Sequence, residues 1–136
     1  MPHVSKKKLK KETLKQLDKK LVSTFESAYE GRAFAKVFRE LFTRTEKIMF
    51  AKRLAIVFLL SKEIPQHRIV DILKVSPSTV AKMSLKLENG KFETIIKTTK
   101  KKNELVNFIE FLLTAGGTMS PIAGRGRWKR IFKDLK

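Results

Sequence analysis

The chain has 136 residues, the length of one domain with tails, and its hydrophobic fraction of 42% is enough to build a core. Its 31 Lys and Arg against 13 Asp and Glu give a formal net charge of +18, divided as +6 before Thr43, +5 over residues 43–88 and +7 beyond. Every segment therefore attracts polyanions, nucleic acid first and an anionic membrane second, while the absence of cysteine excludes a disulfide framework and thiolate metal sites.

Residues 1–11 carry lysines without periodicity and are expected to form a basic arm. They lack the apolar stretch of a signal peptide, and the longest apolar run of the chain, residues 54–60, is far short of a membrane span. A cytoplasmic, nucleoid-associated protein is the expectation. From about Glu12, Leu14, Leu17, Leu21, Phe25 and Ala28 or Tyr29 recur three and four positions apart, the spacing of an amphipathic helix, which Gly31 ends or bends. A second helix carries Phe34, Val37, Phe38 and Leu41 on one side. These two helices hold more large apolar residues than they can bury against each other, so they call for a partner surface on the rest of the chain or on a second subunit.

Thr43-x-x-Glu46 is a capping box, in which hydroxyl and carboxylate cap each other's backbone N–H groups. The helix it opens runs to about Lys62. Residues 54–60 within it are apolar all round, which predicts burial on every side and, in a chain this small, a core shared between subunits. Pro65 stops that helix and can open the next, with no good polar cap before it.

Residues 66–87 read as two short helices joined by a sharp turn. Ile69, Ile72 and Leu73 share a face of the first. Val75 drops into the turn, Ser76 offers its hydroxyl to the free N–H groups of the second helix, and Pro77 takes the first helical position, where a missing N–H costs nothing. The second helix has Val80, Met83 and Leu87 on one face and Ser78, Thr79, Lys82 and Lys86 on the others. Ile69, Leu73, Val75 and Val80 form the apolar wedge that fixes the interhelical angle, which is the layout of a helix-turn-helix. Lys74 stands where the turn usually has glycine and must take a strained or altered conformation. The competing reading is two ordinary surface helices of a bundle.

Glu88-Asn89-Gly90 marks a helix end. Residues 91–99 suit a helix through Phe92, Ile95 and Ile96 but also tolerate a strand. After Lys100, Lys101 and Lys102, a helix from Asn103 has Leu105, Phe108, Ile109 and Leu112 in register and ends at Gly116 and Gly117. A loop over residues 118–127 and a basic-aromatic segment with Trp128 and Phe132 follow. The expected fold is all-α. It divides into a basic arm (residues 1–11), dimerisation helices (12–42), a helix plus helix-turn-helix core (43–88) and a basic extension with one helix and a Gly/Arg loop (89–136).

The segment from Leu41 onward resembles the Trp repressor family. The residues carrying the resemblance are Leu41-Phe42-Thr43-x-x-Glu46, Ala51-Lys52-Arg53-Leu54, Leu59-Leu60, and then Ile69, Leu73, Ser76, Thr79 and Val80. It covers residues 41–87 without gaps; the N-terminal helices follow more loosely, and nothing beyond Asn89 takes part. The family implies an intertwined all-α homodimer whose N-terminal helices interlock, with two helix-turn-helix units facing successive major grooves. Members that bind tryptophan use two arginines and a glycine around the indole, and the matching positions here are Lys52, Lys82 and Met83. Lysine lacks the planar fork of a guanidinium, and a methionine side chain fills space the indole needs. The resemblance therefore implies no tryptophan corepressor, and an unidentified small-molecule effector stays open.

Candidate DNA contacts are Ser76, Ser78, Thr79, Lys82 and Lys86, whose hydroxyls can bond phosphates or base edges and whose ammonium groups can reach guanine acceptors. His67 and Arg68 are placed for phosphates. Arg125 and Arg127, flanking Gly126, suit a minor groove or a flexible basic tail, and Trp128 and Phe132 suit a latch onto the body. A Ser/His/Asp or Cys/His set, a phosphate-cradling glycine loop and a metal-ligand cluster are all missing from the sequence, so an enzyme is not expected. The leading expectation is a homodimeric, sequence-specific regulator of transcription acting on double-stranded DNA, by analogy a repressor. The alternatives are a non-specific DNA- or RNA-binding basic protein and a protein-interaction module with charged tails.

Overall fold

A computed structural model describes residues 4–98 and 102–115. Their regular structure is all-α. It consists of α1 (Lys11–Glu30), α2 (Phe34–Leu41), α3 (Arg44–Ser61), α4 (Gln66–Leu73), α5 (Pro77–Glu88), α6 (Glu93–Thr98) and α7 (Lys102–Ala115). No helix among the described residues is long and apolar enough to cross a membrane. The open choice between helix and strand after Gly90 resolves as helix over Glu93–Thr98, because the four-residue spacing of Phe92 and Ile96 sets both half-buried against one core. Packing divides the chain at Phe50 into two compact units.

The first unit holds α1, α2 and the opening of α3. Four phenylalanines close a ring: Phe25 lies 5.3 Å from Phe34 and 6.0 Å from Phe42, while Phe38 lies 6.2 Å from Phe34 and 4.9 Å from Phe42. Phe50 meets Phe42 edge-on at 5.0 Å. Such ring pairs add about 0.5–1.5 kcal/mol each beyond burial, yet none of the five rings is fully buried. Among the described residues of this unit only Ala28 is. Leu14, Leu17, Leu21, Leu41 and Ile48 stay exposed, so the surplus of apolar side chains over what α1 and α2 can cover is real.

The capping box forms as the spacing predicts. The Thr43 amide and hydroxyl donate to Glu46 Oε2 at 2.9 and 2.8 Å, and the Glu46 amide donates to Thr43 Oγ1 at 3.3 Å. The bond from the Thr43 amide, followed by that from its hydroxyl, holds the Glu46 carboxyl below the usual carboxylate range. Its contribution is thus complete above that range and fades as pH falls through the lowered value.

The second unit is built around α3. Ala55, Ile56, Val57 and Leu59 form a core with Ile64, Ile69, Leu73, Val80, Met83, Ile109 and Leu113. Residues 55–59 are therefore buried by this chain's own α4, α5 and α7, and this run needs no second subunit to cover it. Leu54, at the start of the same run, is 42% exposed. The case for a partner rests on the first unit instead. Helix α7 is part of this core rather than an appendage, and Phe108 meets Phe58 edge-on at 6.4 Å.

Three helices end in the same Schellman pattern. Ala33 and Arg32 amides return to the carbonyls of Ala28 and Tyr29, Ile64 and Glu63 to Leu59 and Leu60, and Lys91 and Gly90 to Lys86 and Leu87. The pattern needs a left-handed residue, naturally glycine, yet only Gly90 (φ 72°) is one; Arg32 (φ 56°) and Glu63 (φ 58°) fill the other two. Gly31 is not the left-handed residue of its turn. Lys74, between α4 and α5, is likewise left-handed at φ 53° and ψ 51°, which for a residue with a Cβ costs about 1–2 kcal/mol. Lys74→Gly is expected to raise stability by roughly 1 kcal/mol, read as a higher urea midpoint at unchanged slope.

Candidate nucleic-acid interface

The site is α4, the turn at Lys74 and Val75, and α5. Ile69, Leu73 and Val80 of the wedge are buried, with Val75 half-buried beside them. Helix α5 begins as the sequence requires: the Thr79 amide donates to Ser76 Oγ at 3.2 Å, and Pro77 occupies the first turn. Helix α4 follows Pro65 without a side-chain cap; the Arg68 and Ile69 amides bond the Pro65 carbonyl at 3.0 and 3.2 Å instead.

Three hydroxyls gather at the N-terminus of α5. Ser76 Oγ lies 2.7 Å from Thr79 Oγ1 and 3.2 Å from Ser78 Oγ. Ser76 and Ser78 are exposed, whereas Thr79 is half-buried with its hydroxyl already engaged. Thr79 thus helps fix the start of the helix, and Ser78 is the freer donor. Further along, Lys82 and Lys86 are exposed. On α4, His67 is exposed and Arg68 half-buried. The single salt bridge among the described residues is Lys97–Glu93 at 3.2 Å, so no carboxylate is paired with the cations of α4 and α5 there. Arg125 and Arg127 lie outside the described residues, as do Trp128 and Phe132.

Of the positions matched to a tryptophan pocket, Lys52 is half-buried, Lys82 is exposed and Met83 is 5% exposed within the core of its own chain. Two exposed residues of α5, Ala81 and Leu85, escaped the sequence reading of the site. The signal for them was present in the helical period, which sets Leu85 on the side away from Val80, Met83 and Leu87.

What the arrangement can do is place one end of a short, capped, cationic helix against a polyanion, with exposed ammonium groups and the exposed hydroxyl of Ser78 toward it. No curated protein and no solved structure matches the chain. A family model described as Trp repressor protein matches residues 15–95, more than half of the sequence and the whole of α2 to α5. The chain belongs to the Trp repressor family of DNA-binding helix-turn-helix regulators.

Proposed function

We propose that the protein is a sequence-specific regulator of transcription that binds double-stranded DNA as a homodimer and acts as a repressor. The observation that carries this reading is α5 itself, an exposed helix with Ser78, Lys82 and Lys86 open to solvent and its N-terminus fixed by Ser76. Ser78 and Lys82 would meet base edges, while Lys86, His67 and Arg68 meet phosphates; Ser76 and Thr79 set the pose of the helix. The exposed leucines of α1, with Leu41 and Ile48, supply the apolar surface a second copy would cover. A dimer places two reading helices about one helical turn of DNA apart.

The test is selection of binding sites from a pool of random duplexes at physiological salt. An inverted repeat is the expected outcome, and Lys82→Ala should then weaken the favoured duplex by about 1–3 kcal/mol while leaving random duplex nearly unaffected. Equal losses on both would count against base reading. A pool that stays random under tight, salt-sensitive binding favours a non-specific binder, a reading supported by the even spread of charge along the chain.

Tryptophan is not the effector in this reading. Met83 is buried in the core of its own chain, and Lys82 offers a point charge rather than a fork. Calorimetry is expected to give no saturable heat with tryptophan at micromolar concentrations.

A further inference from the structure

Val80 and Met83 of α5 enter the core, and half-buried Leu87 lies on the same side. At about 100° per residue, Ser78 and Leu85 fall on the opposite side, in one row along the helix. Ala81 flanks that row on one side, and Lys82 and Lys86 flank it on the other. All five are exposed, and Leu85 leaves 60% of its surface open. The central row of the outward face thus turns apolar at Leu85 in a helix otherwise suited to phosphates and base edges.

A phosphate gives a leucine nothing, since its oxygens must stay hydrated or paired. A second copy docked symmetrically on this face would bring Lys82 and Lys86 against their own equivalents, a like-charge contact. The apolar feature that a major groove presents is the 5-methyl group of thymine. We propose that Leu85, with Ala81 beside it, reads thymine through that methyl group, while Ser78 and Lys82 take hydrogen-bonding edges. This rests on α5 being the recognition helix of a sequence-specific binder. Ala81 and Leu85 are one turn apart, about 6 Å along the axis, so their two thymines lie within one or two base-pair steps of each other.

The experiment takes the full chain and the favoured duplex selected from the random pool, with each thymine replaced in turn by deoxyuridine, which removes the methyl group alone. One or two replacements per half-site are expected to lower affinity about fourfold each, the effect of withdrawing one methyl-sized apolar group. Leu85→Ala is expected to lose the dependence at one of those positions while keeping the salt dependence and the melting curve of the original protein. A favoured duplex that binds equally well with uracil at every position would overturn the proposal, as would the same uracil profile in Leu85→Ala and the original protein. Both outcomes leave sequence reading standing. A pool without a favoured duplex removes sequence reading and this proposal together.

Discussion

Leu59→Ala should lower the unfolding free energy by about 2–5 kcal/mol, the largest single-residue effect expected in this chain. Leu59 is fully buried in the second unit, among residues drawn from α3, α4, α5 and α7. Removing its branched end leaves a cavity that four helices cannot all close, so the transfer loss and the lost packing add. A small domain has only about 5–15 kcal/mol in total, and the helix-turn-helix depends on this same core for its angle. Urea denaturation followed by circular dichroism measures the loss. Leu54→Ala, in the same helix but at a 42% exposed position, should shift the midpoint far less. A Leu59 variant as stable as the original would mean that the second unit is not held together as described.

Glutamates at Leu17 and Leu21 together should turn the dimer proposed above into a monomer. The two leucines are four apart on α1, share a face, and remain exposed in the single chain. Charges there cost little in an isolated chain and a great deal inside an apolar contact between copies. Affinity for an inverted repeat should fall roughly 100-fold or more, because the second half-site is no longer tethered to the first. The core of the second unit contains no residue before Ala55, so its unfolding should be unchanged. Sedimentation velocity at several concentrations reads the first effect, and titration of one and two half-sites reads the second. Unchanged sedimentation and affinity would remove the dimer that the proposed function requires.

The parts of this molecule legible in its sequence are those decided within a few residues. Thr43 and Glu46 cap each other because both partners sit in one turn, and Ser76 with Pro77 starts α5 for the same reason. The helical period of α1 and α2 is equally local. What was hidden depends on distant segments. Nothing near Ile109 or Leu113 tells that they complete a core with Ile56 and Val80. The run over residues 54–60 looks like a surface shared between subunits until α7 is seen to be among the cover of residues 55–59. Helical period sets Thr79 on the flank between the outward and buried sides, and its hydroxyl is tied to Ser76 at 2.7 Å, a competition between capping and recognition that spacing cannot decide. Lys74 was conspicuous as a departure from glycine, but only the backbone shows that Arg32 and Glu63 make the same compromise.

The phenylalanine ring has a consequence for how the protein is made. Residues 4–50 leave the ribosome before the residues of the second core have emerged, and they carry five clustered rings and a leucine-lined helix with only Ala28 buried. At about 5–20 residues per second, the chain through Ala115 follows some seconds later. From then on the N-terminal half is a sticky, cationic, incompletely covered surface, tethered beside ribosomal RNA and close to other copies emerging from the same message. Pairing between neighbouring nascent chains would hide it earliest. Production of this protein should therefore be most sensitive to chaperone supply and to translation speed over the codons that follow the fiftieth.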